Sequence, residues 1–262
     1  FHEAQPRFVA GQARAVLELM AGRENLPVTA WQPEAVAGHR GRPTLLSNAE
    51  TWAHVGALVR LGPDAYAAYG RDGHNPGTTL LTLGGDGDAV VREVAAGTPW
   101  TEVLTADQLS RPVLTGGYHG TWAPSGALAT LTVSRSEMAA QGLALGAGVV
   151  ITSAPTACPV ERTLRIVDYL AGESARRCGP CRNGLPALAG SLRSVVDGIG
   201  QLGRVRQLLD IVERRGACAH PDGTARLVRS LLTAVPEEVD AHLGGWCGYR
   251  APTRPLSLAG AV

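Results

Sequence analysis

The sequence predicts an α+β protein in which a small mixed sheet is followed by a helical bundle. Apolar, strand-like runs separated by glycines lie between residues 78 and 154, and helical spacings of three and four fill residues 158–247. At 262 residues and 45% hydrophobic content, the chain is long enough to bury real cores. We therefore expect four units, which are residues 1–77, 78–154 and 158–247, and a tail at 248–262.

Charge, hydropathy and cysteine usage narrow the class of protein. A formal net charge of +1 lacks the basic excess of nucleic-acid-binding proteins, and no apolar run reaches the 18 residues of a transmembrane helix. Five cysteines at irregular spacing fit a reducing compartment better than a disulfide framework. We expect a cytoplasmic protein with no nucleic-acid partner and no direct membrane insertion. The chain opens on FHEAQPRF without an initiator methionine, which leaves open whether residues precede Phe1.

Two helices are predicted ahead of the sheet. The first lies in GQARAVLELMAG, where the apolar residues share one face. The second runs from about Ala49 to Leu61, and Ser47 and Glu50 show the S-x-x-E pattern of a capping box, which makes Ser47 the predicted N-cap. Its apolar stripe consists of Trp52, Val55, Leu58 and Val59.

The middle of the chain predicts strands. Four runs alternate with glycine-rich turns, and one short helix, TPWTEVLTADQL, interrupts them. The runs are TTLLTLGG near 78–85, AVVREVAAG near 89–97, RPVLTGG near 111–117 and GVVITSA near 148–154.

The last third predicts a four-helix bundle. Apolar stripes with helical spacing begin at Val160, Leu185 and Leu202, and a fourth runs from Asp222, its predicted N-cap, to Leu243. Four such helices joined by short turns pack as an antiparallel bundle.

Three cysteines fall at helix breaks in this bundle. Cys178 and Cys181 form a C-x-x-C pair in ESARRCGPCRNG, and Cys218 lies at the break before the last helix. In an antiparallel bundle these breaks meet at one end, so the three thiols can converge. They are either reduced cysteines packed as small apolar groups or ligands of zinc or an iron–sulfur cluster. A redox-active dithiol is less suited, because that motif follows a strand and here a helix precedes it.

The same residues resemble a known family. ESARRCGPCRNG, followed further on by GACAHPDGTARLVRSLL, resembles the iron–sulfur end of the NADH-binding flavoprotein subunit of respiratory NADH:quinone oxidoreductase, which also occurs in NAD-linked hydrogenases and formate dehydrogenases. That family carries E-S-C-G-x-C-x-P-C-R and a further cysteine near the start of the last helix. The resemblance implies that Cys178, Cys181 and Cys218 bind an iron–sulfur cluster, and that Ala175 stands where the first cysteine ligand belongs.

The missing cysteine leaves the fourth ligand open. A four-iron cluster here has a substitute ligand or one open iron, and Cys158, Cys247 and His220 are the candidates. A helix from Cys158 to the cluster end is about 25 Å long at 1.5 Å per residue, and Cys247 follows the helix that ends far from the cluster. We therefore expect an incompletely ligated 4Fe-4S cluster or a 3Fe-4S cluster.

The resemblance extends to the first segment. GRPTLLSNAETWAHV is similar to the family's G-K-P-T-x-x-N-N-V-E-T-L-A-N-V, and FVAGQARAVLELMAG to Y-I-C-G-E-E-T-A-L-L-x-S-I-E-G. A helix start offers free N–H groups to an anionic cofactor. The flavin mononucleotide (FMN) contacts implied by this resemblance are Gly11, Leu46, Ser47, Asn48 and Thr51. Gln12 and Ala13 replace the family's acidic pair, and Ser47 has the alternative role of capping its own helix.

The resemblance also gives identities to the units. It makes residues 1–77 the C-terminal remnant of an α/β flavin- and NADH-binding domain, 78–154 a soluble-ligand-binding β-grasp domain and 158–247 the iron–sulfur-binding bundle. The family's R-G-x-G-G-A-G-F-P loop is not in the sequence and belongs before Phe1. In the GYHGTW loop, His119 and Trp122 are interpreted as surface packing rather than ligands.

The function implied is electron transfer in an NADH dehydrogenase-like oxidoreductase. NADH would reduce FMN, and electrons would pass to the cluster and on to a partner such as a thioredoxin-like 2Fe-2S subunit. The location would be cytoplasmic, at the inner face of the membrane through partner subunits. The alternative is a degenerate relative that serves as a cluster-bearing relay or a scaffold, which Gln12, Ala13, Ser47 and Ala175 favour.

Overall fold

A computed structural model of the chain describes residues 1–29, 32–71, 74–85 and 88–249. The predicted tail at 248–262 lies outside the described residues beyond Tyr249. Two hydrophobic cores are present, one beneath the sheet and one inside the helical bundle. The predicted α+β class is confirmed.

The α-helices described ahead of the sheet are α1 (Ala13–Met20), α2 (Ala49–Leu61) and α3 (Pro63–Ala67). The predicted capping of α2 by Ser47 is wrong. The Oδ1 atom of Asn48 accepts the backbone N–H of Thr51 at 2.8 Å, so Asn48 is the N-cap. Glu50 does not close a capping box, because its carboxylate instead accepts the backbone N–H of Leu80 at 2.8 Å.

The apolar stripe of α2 is not covered by the described part of the chain. None of the side chains of α2 is buried, and Trp52 and Val59 are 47% and 81% exposed. The predicted helix is therefore present, but its stripe is an open apolar face.

The sheet is mixed, as the sequence predicts. Its strands in the described residues are β1 (Thr78–Gly84), β2 (Val90–Ala95), β3 (Val113–Thr115), β4 (Thr121–Ala123) and β5 (Val149–Ile151). They lie in the order β2-β1-β5-β3-β4, in which only the β1–β5 pair is parallel. Three short helices connect them: α4 (Trp100–Val103), α5 (Ala106–Leu109) and α6 (Arg135–Ala140).

Strand β4 was not predicted, and it changes the role of the GYHGTW loop. Trp122 lies at the centre of β4, is 2% exposed and belongs to the core of the bundle. Its ring nitrogen donates to the Thr163 hydroxyl at 2.9 Å, and its backbone N–H donates to the Ser230 hydroxyl at 2.9 Å. The interpretation of Trp122 as surface packing is wrong, because this residue joins the sheet to the bundle.

The bundle contains one more helix than predicted. Its helices in the described residues are α7 (Pro159–Gly172), α8 (Leu185–Val196), α9 (Leu202–Val212), α10 (His220–Ala234) and α11 (Pro236–Leu243). The predicted fourth helix breaks before Pro236, which has no N–H to continue α10 and takes the first position of α11. Asp222 is not the N-cap of α10 but lies in its first turn, where it accepts the backbone N–H of Arg214 at 2.6 Å.

No helix within the described ranges combines the length and the apolar character needed to cross a membrane.

Candidate metal centre

Local breaks in the bundle place the three predicted cysteine ligands. Cys178 ends the loop after α7, Cys181 lies in a π-helical turn (Pro180–Gly184) that leads into α8, and Cys218 lies just before α10. The turn packs tightly on α9, since a Cβ atom at Gly184 would stand 2.3 Å from Val212 Cγ1. Pro180 and Gly184 thus bring the C-x-x-C pair against the rest of the bundle.

The three thiols lie close enough together to shift the pKa values of Cys181 and Cys218. The pKa of Cys181 is raised to about 12, first by burial and then by the neighbouring thiols of Cys178 and Cys218. Burial also raises the pKa of Cys218, with a further contribution from Cys178. Cys181 is buried, and Cys178 and Cys218 are partly buried. Thiols that crowd each other in such surroundings are costly to ionise without a cation, and a metal centre supplies that positive charge.

Backbone N–H groups support the sulfur atoms as metal ligands. The N–H of Arg176 points to Cys181 and that of His220 to Cys218, and each lowers the pKa of its thiol. Hydrogen bonds of this kind stabilise thiolates and tune the potential of iron–sulfur centres. The residues present therefore fit an iron–sulfur cluster at three positions.

A single zinc ion and an iron–sulfur cluster require different spacings of their sulfur ligands. Among the described residues, Cys178, Cys181 and Cys218 do not form a group whose sulfur atoms all lie within 4.8 Å of one another. Thiolates on one tetrahedral zinc ion stand about 3.8 Å apart, because each Zn–S bond is about 2.3 Å. In a cluster each thiolate bonds a different iron, so the sulfur atoms are farther apart.

The loop around Ala175 contains a residue in the left-handed conformation. Arg176 has φ +52°, a left-handed conformation that a glycine adopts without strain. In the family motif a glycine follows the first cysteine, and Arg176 stands at that glycine's position. A cysteine at 175 followed by a glycine at 176 would therefore suit this backbone conformation.

Cys158 and Cys247 lie at the opposite end of α7 from Cys178. Their sulfur atoms lie within 4.8 Å of each other and of ligand atoms from Glu238 and His242. Cys158 caps the start of α7, whereas Cys178 follows its end. A helix of this length separates the two by about 20 Å at 1.5 Å per residue.

His220 is buried and already paired. Its Nε2–H donates to the carbonyl oxygen of Leu170 at 2.8 Å, and its Nδ1 lies 3.1 Å from Nε2 of His119. Burial lowers the pKa of His220, and burial followed by the charges of His220 and Arg226 lowers the pKa of His119 to about 3. Both rings are neutral at pH 7, and neither ring nitrogen of His220 is available to iron in this arrangement.

The histidine pair is a feature that sequence reasoning missed. His119 and His220 lie 101 positions apart, and their rings meet because β4 packs on α10. The His119 ring rests on Gly223, where a Cβ atom would approach its Cγ to 2.3 Å. The signal available in the sequence was Gly223, a glycine inside a predicted helix, which often has a packing reason.

The structure does not gather all five predicted flavin contacts. Asn48 and Thr51 line a cavity of about 370 Å³ between α2 and the sheet. Gly11, Leu46 and Ser47 are not part of its lining. Since the Asn48 oxygen is bound to the Thr51 N–H, the fit to FMN is partial.

The residues that replace the family's acidic pair have a structural role. The side-chain oxygen of Gln12 accepts the backbone N–H groups of Arg14 and Ala15, at 2.9 and 3.2 Å. Gln12 is therefore the N-cap of α1.

Comparisons with known proteins agree with this geometry. Residues 161–242 match the family described as NADH-ubiquinone oxidoreductase-F iron-sulfur binding region. The F subunit of the NADH-quinone oxidoreductase of Streptomyces coelicolor is 28% identical over 93% of this chain and 56% of its own length. The HndC subunit of the NADP-reducing hydrogenase of Solidesulfovibrio fructosivorans is 26% identical over 90% of this chain and 50% of its own.

A solved structure shares the fold. A chain of the air-oxidized NAD+-reducing [NiFe]-hydrogenase superposes with a TM-score of 0.78 at 22% identity, over 90% of this chain and 42% of that one. The chain thus spans about half the length of the relatives it matches. The predicted resemblance is confirmed: residues 161–242 match an iron–sulfur binding region, and most of the chain is similar to F subunits of NADH-quinone oxidoreductases.

Proposed function

We propose that the chain holds an iron–sulfur cluster through Cys178, Cys181 and Cys218 and passes electrons within an NADH-oxidising oxidoreductase. The observation that carries the proposal is the meeting of three thiols, from two separate helix breaks, inside the matched region. When bound, the cluster accepts and donates single electrons. As none of Cys158, Cys247 and His220 reaches it, the cluster is an incompletely ligated 4Fe-4S or a 3Fe-4S centre.

The chain's own residues hold and shield this centre. The thiolates would bond iron, while the N–H groups of Arg176 and His220 support two of the sulfur atoms. Cys181 is 2% exposed, so water is kept from its sulfur. The protein sets the potential by these hydrogen bonds and by burial.

The electron source and the partners belong to the same proposal. NADH would reduce FMN, bound against residues 1–77 at a site that includes Asn48 and Thr51. The open apolar face of α2 supports this, because a larger flavin domain would cover it. Several relatives are named as subunits, which supports further electron-transfer subunits as partners, such as a thioredoxin-like 2Fe-2S protein. The 78–154 unit would be the β-grasp domain, and the location cytoplasmic.

A second function is favoured by specific residues. Gln12 caps α1 where the family has an acid, and Ala175 replaces a cysteine. A relative that has lost NADH oxidation would act as a cluster-bearing relay or a scaffold. NADH:ferricyanide reductase activity of the anaerobically purified protein separates these roles. Bound flavin without activity would favour the relay, and absence of flavin the scaffold.

Loss of one cluster cysteine is expected to remove the cluster. In Cys218→Ser, two thiolates remain, and iron and acid-labile sulfide should fall to a small fraction of the wild-type content. Iron and sulfide analysis with electron paramagnetic resonance measures this. Cys247→Ser is the matched control and should keep its iron, because Cys247 lies with Cys158 at the other end of α7. Stoichiometric zinc without sulfide in the wild-type chain, bound by the cluster cysteines, would contradict the assignment.

Asn48 is expected to contribute both to flavin binding and to the stability of α2, and the two effects can be measured separately. Asn48→Leu is expected to lower the bound FMN per chain, and loss of the N-cap should cost about 1 kcal/mol of unfolding free energy. Asn48→Ser keeps a capping oxygen on a shorter side chain, so it should retain stability but also lose flavin. Flavin absorbance after gel filtration and thermal unfolding measure the two effects. Wild-type flavin content in Asn48→Leu would remove Asn48 from the flavin site.

A further inference from the structure

Four ligand-type side chains meet at the end of the bundle away from Cys178. They are Cys158, Glu238, His242 and Cys247, and their sulfur, nitrogen and oxygen atoms all lie within 4.8 Å of one another. The sulfur of Cys158 is 3.3 Å from Nε2 of His242 and 3.5 Å from Oε1 of Glu238. The same His242 nitrogen is 3.4 Å from that Glu238 oxygen.

These distances match the edges of a tetrahedron around one metal ion. Zinc bonds sulfur at about 2.3 Å and nitrogen or oxygen at about 2.0–2.2 Å, which sets neighbouring ligand atoms about 3.3–3.8 Å apart. The Cys158, His242 and Glu238 atoms already have this spacing. A bound ion would thus need little rearrangement of these three side chains.

The local fold explains why these residues meet. Glu238 and His242 are four positions apart on α11, so they share one helix face. Cys158 caps the start of α7. Cys247 returns to them through a turn in which Gly245 has φ +82° and passes within 2.8 Å of where a Cβ on Gly198 would stand. Both glycines are needed for that close passage.

Neighbouring groups orient the ligand atoms. Nδ1 of His242 lies 3.2 Å from the carbonyl oxygen of Val196, which can only accept, so Nδ1 carries the proton and Nε2 presents its lone pair. The N–H of Gly248 donates to both carboxylate oxygens of Glu238 at 3.1 Å. Cys158 and His242 are 3% and 2% exposed. This is the outer support that protein metal sites show.

We propose that Cys158, Glu238, His242 and Cys247 bind one zinc ion. Two sulfurs, an imidazole and a carboxylate suit zinc rather than magnesium or calcium, which prefer all-oxygen ligands. Four protein ligands close the coordination shell, so the ion is structural. It fastens the segment after α11 to the N-cap residue of α7, and binding releases the two thiol protons to solvent.

Element analysis of the full chain, purified anaerobically from zinc-replete medium, tests the site. We expect one zinc per chain and a zinc-edge absorption spectrum with two sulfur and two nitrogen or oxygen neighbours, at about 2.3 and 2.0 Å. His242→Ala and Cys247→Ser should each lower zinc affinity on the order of tenfold or more. Cys218→Ser is the matched control, which should lose iron and keep its zinc.

A metal titration covers the case in which a variant does not fold. Cobalt added to the metal-depleted wild-type chain should give a thiolate-to-cobalt absorption band and the intense visible bands of a tetrahedral site, and added zinc should abolish both. No uptake of zinc or cobalt by the folded chain would overturn the proposal. Unchanged zinc in both His242→Ala and Cys247→Ser, or a Cys158–Cys247 disulfide in the anaerobic protein, would overturn it as well.

Discussion

Replacing Ala175 by cysteine is expected to give a fully ligated four-iron cluster that survives in air far longer than the wild-type centre. The three thiolates of Cys178, Cys181 and Cys218 leave one iron without a protein ligand, and such an iron is lost first. Changes to residues that only support a metal ligand alter metal affinity about 10–100-fold. A thiolate that bonds iron directly should have at least as large an effect, so the restored cysteine should slow cluster loss on the order of tenfold or more. Iron and sulfide per chain, and the decay of the visible absorption in air, measure this.

The loop favours this substitution. Arg176 has a left-handed conformation, φ +52°, and the family motif has a glycine at this position, directly after the cysteine. Ala175→Cys combined with Arg176→Gly should stabilise the loop, because a non-glycine residue pays about 1 kcal/mol or more for that conformation.

Ala175→Ser is the matched control. It is close in size to cysteine and is a poor ligand for iron, so its cluster should decay as fast as the wild-type one. Equal rates of cluster decay in the serine and cysteine variants would contradict the missing-ligand explanation. A wild-type chain that already contains four irons and resists air would also do so, and would place the fourth ligand elsewhere.

Features fixed by local chemistry were predictable from the sequence. The bounds of α2 are those predicted, because apolar spacing and a polar start are both encoded within a few residues. The choice of cap was wrong, because Glu50 finds its partner at Leu80, on a strand that no local pattern connects with α2. The bundle's cysteines could be placed together because the two breaks fall at one end of an antiparallel arrangement.

Features that depend on long-range packing were not predictable. Helix length predicts that Cys158 and Cys247 lie away from Cys178, but their meeting with Glu238 and His242 depends on the break at Pro236. That proline was visible in the sequence. The apolar pattern nevertheless predicts one unbroken helix, because Val235 and Val239 continue the stripe and are buried on both sides of the break.

Trp122→Ala is expected to cause a large loss of stability. The side chain is 2% exposed and packs from β4 into the core of the bundle, and such truncations typically cost about 3–5 kcal/mol. That is a large part of the roughly 5–15 kcal/mol by which a folded domain is stable. The free energy of unfolding in urea, followed by circular dichroism, gives the measurement.

Two controls separate packing from hydrogen bonding in this result. Trp122→Phe keeps much of the ring and removes the bond to the Thr163 hydroxyl, so about 1–2 kcal/mol should be lost. Trp52→Ala, on the open face of α2, should change stability by about 0.5 kcal/mol or less. A loss below about 1 kcal/mol in Trp122→Ala would contradict the packing found for β4. The Trp122 side chain anchors β4 in the core of the bundle. The sheet and the bundle of the wild-type chain should therefore unfold in one transition, whereas in Trp122→Ala they should unfold in two separate transitions.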